Sequence, residues 1–162
     1  TVNSVPYLLI EGLKTFNFLF TDDTKPVFVN DNEIIMVMDG ASSGQVFIGF
    51  NGFIGSTLAS IILNENQNKL TFILYFFLKN NFKLISDNNI GSAIPHANKD
   101  FILSMRFGFP TNRLINEFNK NVKYLLNQVL ILNKKNKLLR QTRDLLLPKL
   151  ISGEIDVSEV KS

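Results

Sequence analysis

The sequence contains no cysteine, no tryptophan and only one histidine among its 162 residues. Without cysteine the chain forms neither disulfides nor thiolate metal sites, which is compatible with a reducing, cytoplasmic setting. A single histidine cannot build a histidine-based metal cluster, and no H-E-x-x-H pattern is present. The longest apolar runs, such as residues 72–78, are too short to span a bilayer, and no signal peptide is recognisable. We therefore expect a cytoplasmic protein.

The motifs of common catalytic and cofactor sites are also missing. Residues 40–44, Gly-Ala-Ser-Ser-Gly, lack the Lys-Ser/Thr of a P-loop, and no G-x-G-x-x-G follows a strand. The same five residues fit the string G-x-S-x-G, but we read them as a hairpin loop between two strands rather than as the strand-turn-helix of a nucleophile elbow, so they offer no nucleophile that His96 could activate. The sequence predicts a chain that is not an enzyme and needs no cofactor.

The residues that are present predict a folded protein with an uneven charge distribution. Hydrophobic residues make up 45% of the chain, and fifteen are phenylalanine, so disorder is not expected. Residues 1–110 carry seven Lys/Arg and nine Asp/Glu, a balance of −2, whereas residues 111–162 carry ten and five, a balance of +5. The basic surplus thus lies in the C-terminal part, which weakens any general electrostatic argument for DNA binding by the first part.

The first 110 residues read as a mixture of strands and helix. We predict strands near residues 5–10, 33–38, 45–50 and 53–63, with a hairpin at Asn51-Gly52 and a bulge at Gly55, and the last three of these strands form a meander. Residues 11–20 are ambiguous between strand and buried loop. Apolar spacing predicts a buried helix over 69–84, and residues 101–109 read as a last strand that closes at Pro110.

The segment after Pro110 predicts one long helix over residues 112–147, capped by Thr111 or Asn112. Its apolar residues repeat in steps of three and four, which is typical of a coiled-coil seam, and Asn136 in that seam would fix the register. A second apolar line repeats every seven residues beside the seam: Tyr124, Ile131, Leu138 and Leu145. The alternative is an amphipathic helix lying on its own domain. We predict an α+β fold, with a mixed or antiparallel-strand domain over residues 1–110 and a coiled-coil spacer with its tail over 111–162.

The end of this helix carries a specific sequence. Pro148 removes one helical N–H and predicts a kink or restart, while Gly153 suits a left-handed helix stop. The run from Arg143 to Val157, which includes Leu-Leu-Leu-Pro-Lys-Leu-Ile-Ser-Gly-Glu-Ile, resembles the end of a spacer region in specificity subunits of type I restriction–modification systems.

Upstream segments resemble a target-recognition domain of the same subunits. They are Asp39-Gly-Ala-Ser-Ser-Gly44 with the hairpin after it, the helix near Tyr75, and Gly91-Ser-Ala-Ile-Pro-His96. Such subunits usually have two recognition domains and two spacers, whereas this chain has one of each. We expect the opening part of the recognition domain to be missing, and the start at Thr1 rather than Met suggests a fragment or processed product.

The resemblance implies a non-catalytic specificity subunit that reads one half of a bipartite sequence in double-stranded DNA. It also implies methyltransferase subunits that modify adenine with S-adenosylmethionine, and a separate ATP-driven restriction subunit. The alternative is a coiled-coil assembly protein that does not itself bind DNA, which the acidic balance of residues 1–110 favours.

Polar side chains in the first domain are the candidates for DNA contact, because Asn can read adenine edges and Lys can meet phosphate or guanine. The alternative for each is a solvated loop or helix end, and His96 could be a satisfied loop residue. The candidates are Ser42, Ser43, Gln45, Lys79, Lys83, Asn88, Asn89, Ser92, His96 and Lys99.

The helix supplies the candidates for partner contact. A homodimer, or pairing with a second half-subunit, would use the seam residues Phe118, Val122, Leu125, Val129, Leu132, Asn136, Leu139 and Leu146. A methyltransferase subunit would use the second apolar line, with Ile131, Leu138 and Leu145 as candidates, because one facing helix cannot cover both lines. We expect the chain's own domain to reach only the early part of this line, near Tyr124.

Overall fold

The computed structural model describes residues 4–23 and 26–155, and it has the α+β fold predicted from the sequence. Seven short strands and a set of short helices precede one long C-terminal helix. The strands are β1 Val5–Leu8, β2 Leu19–Thr21, β3 Phe28–Val29, β4 Ile34–Val37, β5 Val46–Phe47, β6 Gly52–Ile54 and β7 Leu58–Ile61. The α-helices are α1 Ile10–Thr15, α2 Thr71–Asn80, α3 Phe82–Asp87, α4 Lys99–Ser104 and α5 Asn112–Ile151, with a 3-10 helix at Glu65–Leu70 before α2.

The strands form two sheets rather than the single meander that we predicted. One sheet has the order β2-β1-β6-β3, in which β1 and β6 are parallel, and the other has the order β5-β4-β7. The predicted hairpin at Asn51-Gly52 is wrong, because β5 and β6 belong to different sheets. The Asn51 side chain instead accepts a 2.8 Å hydrogen bond from the Asp31 N–H, so it joins two loops.

The single strand predicted over residues 53–63 is also wrong. A turn closed by a hydrogen bond from the Leu58 N–H to the Gly55 oxygen separates β6 from β7, and the chain changes sheets there. Gly55 packs closely at this point, since a Cβ atom on it would lie 2.7 Å from a methyl carbon of Leu9. The glycine marks a crossing between sheets rather than a bulge within one strand.

Strand β4 lies between two hydrophobic cores and contributes residues to both. Ile35 and Val37 point into the first core, whereas Ile34 and Met36 point into the second. Successive strand residues face opposite sides, so an uninterrupted apolar run is required where both sides are buried. Helix α5 reaches both cores, with Leu130 packed against the first and Leu126 against the second.

The short helices depart from the sequence prediction in two places. Residues 11–20, which we read as strand or buried loop, contain α1. Residues 101–109, which we read as a strand, begin inside α4, because the Asn98 side chain caps that helix by accepting from the Phe101 N–H at 3.1 Å. The helix predicted over residues 69–84 is present but divided at Asn81 into α2 and α3.

Helix α5 confirms the predicted long helix and extends it. It has 40 residues and so is about 60 Å long. The helix continues through Pro148 and ends at Ile151, with Ser152 as its C-cap residue and Gly153 beyond it at a φ of +74°. Thr111 is the N-cap residue, but its side chain makes no capping hydrogen bond. Of the helices that the structure describes, none combines the length and the apolar character that a membrane span requires.

Candidate nucleic-acid interface and helix surface

Two polar loops, residues 38–44 and 89–97, are joined edge to edge. The Ala97 N–H donates to the Met38 oxygen at 2.7 Å, and the Gly40 N–H donates to the Pro95 oxygen at 2.9 Å. These two segments contain half of the candidate DNA contacts that we predicted. Backbone hydrogen bonds between loops fix their relative position, so the side chains that they carry form one surface.

His96 lies at the centre of this junction. It forms isolated bridges with both Asp39 and Ile90, and its ring Nδ1 is paired with the Asp39 carboxylate. The His96 side chain is 51% exposed and that of Asp39 is 33% exposed. His96 therefore satisfies one ring nitrogen within the protein and leaves about half of its side chain exposed to solvent.

The serines of the first loop have different environments. Ser43 is 1% exposed, and its hydroxyl accepts a 2.5 Å hydrogen bond from the Asn89 amide. Burial leaves Ser43 unable to contact DNA directly, so this predicted contact residue instead holds Asn89. Ser42 is partly exposed and accepts a 3.0 Å hydrogen bond from Lys14, which lies on α1.

Four other candidates lie in or beside the same loops. Ser92 is exposed at the tip of the second loop, and Gln45 is partly buried at the end of the first. The Asn88 amide donates to the Leu84 oxygen at 2.9 Å, so it closes the end of α3. Lys99 is exposed at the start of α4, three residues beyond His96.

Lys79 and Lys83 make their contacts away from the loop junction. The Lys79 ammonium group lies 5.5 Å from the ring centroid of Tyr75, in a groove that α5 also lines. Lys83 forms an exposed ion pair with Asp87 at 3.0 Å. Such a pair contributes little to stability and leaves its charges solvated.

The sequence analysis missed two residues of this site, Lys14 and Asp39. Lys14 lies in the segment that we read as strand or buried loop, so no argument placed it near Ser42. Asp39 was named only as the first residue of the Asp39–Gly44 segment, although a carboxylate beside a turn is also a possible partner for His96.

Helix α5 packs on its own domain along one face from its first turn to Lys137. Apart from Gln128, the helix residues that are not exposed recur every three or four positions: Ile115, Asn119, Val122, Leu126, Leu130, Asn133 and Lys137. Polar contacts fix both ends of this face. The Asn119 amide donates to the Lys69 oxygen at 2.7 Å, and the Lys137 ammonium group donates to the Phe16 oxygen at 2.8 Å. The domain thus extends well past the first turns of the helix, where we had expected its contact to end.

The predicted seam lies beside this docked face. Val122 is only 8% exposed because its own domain covers it, so it is not available to a second helix. Leu125 is 59% exposed, and Asn136 is also exposed. The remaining seam residues are exposed to a similar degree: Phe118, Val129, Leu132, Leu139 and Leu146.

The second apolar line faces away from the domain. Tyr124, which we expected the domain to cover, is 65% exposed, and Leu138 is 62% exposed. Ile131 and Leu145 are exposed as well. From residue 138 onward every described helix residue is exposed, so this end projects for about 21 Å beyond the domain contacts.

No cluster of three or more His, Asp or Glu side chains suited to a metal ion occurs in residues 4–23 and 26–155. The described surfaces are instead a polar loop junction and a long helix with two uncovered apolar lines.

Comparison with known proteins gives consistent matches. Residues 3–141 match the family model described as the type I restriction modification DNA specificity domain. The chain is 27% identical over 122 residues to the type I restriction enzyme MjaVIII specificity subunit of Methanocaldococcus jannaschii, an alignment that covers 70% of this chain and 28% of that protein. It is 25% identical over 153 residues to the MjaIX specificity subunit of the same organism, covering 93% of this chain and 35% of that protein. The chain therefore spans about a third of the length of these relatives.

Proposed function

Because the chain belongs to the family of type I restriction–modification DNA specificity domains, we propose that it reads one part of a bipartite DNA target. In this proposal the chain is non-catalytic and cytoplasmic. It recognises double-stranded DNA and positions methyltransferase and restriction subunits that do the chemistry. The family match over residues 3–141, which include both the loop junction and most of α5, is the observation that carries the proposal.

The loop junction is the surface that we assign to DNA. It brings Ser42, Asn89 and His96 together on joined segments, and Lys14 and Ser92 lie on or beside the same loops. Side chains held by backbone pairing suit base reading, since discrimination requires donors and acceptors at fixed positions. Within residues 4–23 and 26–155, no hydrogen bond or ion pair joins Lys79 or Lys83 to this junction, so we assign them at most to phosphate contacts.

Helix α5 is the surface that we assign to protein partners. Its docked face is covered, but the seam and the second apolar line together expose large aliphatic side chains over most of its length. An uncovered apolar stripe of this size marks an interaction site. We propose that a second copy, or a second half-subunit, covers the seam and that a methyltransferase subunit covers the second line.

The test of DNA reading is a selection from randomised duplexes with the full chain, alone and with a methyltransferase partner. A reader enriches a common sequence and binds it more tightly than random duplex at every salt concentration. Equal affinity for selected and random duplexes, with or without the partner, contradicts the proposal.

A second function, a coiled-coil assembly protein that does not bind DNA, is favoured by the balance of −2 in residues 1–110. The same selection separates the two, because an assembly protein enriches no sequence and yet still pairs through α5.

A further inference from the structure

The bond between His96 and Asp39 determines which ring nitrogen of His96 carries hydrogen. An ionised carboxylate only accepts hydrogen bonds, so the Nδ1 atom that faces Asp39 must be the donor. In a neutral imidazole the other nitrogen, Nε2, then has a free lone pair. While the ring is neutral, Asp39 therefore leaves Nε2 of His96 as a hydrogen-bond acceptor.

The Nε2 atom has no hydrogen-bond partner in the described residues, and the ring that carries it is held in position. No hydrogen-bond partner for Nε2 occurs within the part of the chain that the structure describes, and half of the side chain is exposed. The backbone of His96 exchanges two hydrogen bonds with Ile90, at 2.7 and 2.9 Å. Gly91 adopts a φ of +93° beside the ring, where a Cβ atom would lie 3.2 Å from the His96 Cδ2 atom. The close approach and the paired backbone restrict the position of the ring.

We propose that His96 accepts a hydrogen bond at Nε2 from the exocyclic amino group of a DNA base, and that Asp39 is the positioning residue that makes this possible. In the major groove, adenine N6 and cytosine N4 present amino donors, whereas guanine O6 and thymine O4 present acceptors. The contact thus selects adenine or cytosine at one position of one strand. This inference rests on the proposed function, since it names the chemistry of one contact in the same site.

Two substitutions at His96 separate the base contact from the loop junction. His96→Asn places an amide nitrogen near the position of Nδ1, so it can still donate to Asp39, but it has no group at the position of Nε2. His96→Gln has a polar group near Nε2 and loses the bond to Asp39. Asp39→Ala removes the positioning carboxylate and leaves the ring free to adopt either tautomer.

The experiment is a selection from a randomised duplex library at about pH 8, where an ordinary imidazole is neutral. Wild-type full-length chain is expected to prefer adenine or cytosine at one position. His96→Asn should lose that preference by about five- to a hundred-fold while keeping the others and the melting temperature. Asp39→Ala should weaken the preference at the same position only. In the free wild-type protein, ring ¹⁵N shifts should show hydrogen on Nδ1.

The outcomes test the base contact separately from the proposed function on which it rests. If the wild-type chain enriches no sequence, the proposed function fails and the contact fails with it. If wild type and His96→Asn enrich one sequence with equal preferences, the base contact is wrong while the proposed function stands. If His96→Asn does not fold, His96→Gln and the ring ¹⁵N shifts test the base contact instead. Hydrogen on Nε2 in the free protein overturns the role of Asp39.

Discussion

The Lys137 ammonium group donates to the main-chain oxygen of Phe16 across 121 positions of sequence. Phe16 ends α1 with a φ of +61°, the one positive φ at a residue other than glycine in the part of the chain that is described. Its ring packs with Phe18 and Phe50 at the edge of the first core. The bond therefore joins the last docked turn of α5 to the C-terminal end of α1, where the Phe16 carbonyl oxygen is not paired within α1.

Replacing this lysine should loosen the end of the docked face. Lys137→Met keeps the aliphatic stem and a similar helix propensity but removes the donor to the Phe16 oxygen. We expect a loss of about 1–2 kcal/mol of unfolding free energy, since the bond is charged but only partly buried. Urea denaturation measures it. Lys135→Met, at an exposed position, is the matched control and should change stability by no more than a few tenths of a kcal/mol.

Gly49 allows α5 to lie close to the domain. It has a φ of +91°, and a Cβ atom on it would lie 2.6 Å from a methyl carbon of Leu130. Gly49→Ala therefore adds a clash to the backbone strain and should cost about 2–4 kcal/mol. Gly40→Ala is the control, because Gly40 has a φ of +93° and open space around its Cβ position, so it reports strain alone. Equal losses in the two variants, measured by urea denaturation, would show that the helix does not press on Gly49.

The elements with strong local signals were predictable from sequence. Strand β4 is an unbroken apolar run because both of its faces are buried, and α5 has regular apolar spacing without an early breaker. The hairpin predicted at Asn51-Gly52 was wrong because the Asn51 side chain accepts a hydrogen bond from the Asp31 N–H, twenty positions away. No short-range pattern contains that information.

The docked face of α5 was not predicted from the sequence, for a related reason. Asn119, Asn133 and Lys137 belong to it, so it is not an apolar stripe that periodicity can detect. Two of these polar residues are accommodated because oxygens of the domain accept their hydrogen bonds, the Lys69 carbonyl from Asn119 and the Phe16 carbonyl from Lys137. Likewise, the distant pairing of Asp39 with His96 requires the joined loops, whose contact no sequence spacing specifies.

Pairing through the seam should be sensitive to one central residue. Leu132 is 55% exposed and lies between Leu125 and Leu139 on the same line. Leu132→Asp places a charge in the proposed helix–helix contact, where burial without a partner is costly, and should leave the chain monomeric. Leu138→Asp, on the other line, should keep the pairing. Sedimentation velocity over a range of protein concentrations measures both, and a wild-type chain that stays monomeric throughout contradicts the seam assignment.

Substitutions in the second apolar line should weaken methyltransferase binding without affecting self-pairing. Ile131 and Leu138 lie about 100° around the helix from the seam, since one residue turns an α-helix by that angle, and the domain covers neither of them. The double change Ile131→Ser and Leu138→Ser should weaken methyltransferase binding by about 1–3 kcal/mol through lost apolar burial, with self-pairing unchanged. Lys134→Ser with Gln141→Ser, at exposed polar positions, matches its cost in helix propensity and should leave both interactions intact. Calorimetry with the methyltransferase subunit and sedimentation of the chain alone provide the two measurements. If self-pairing is lost while methyltransferase binding is unchanged, the second line is the helix–helix contact, and the two surfaces of α5 have exchanged roles.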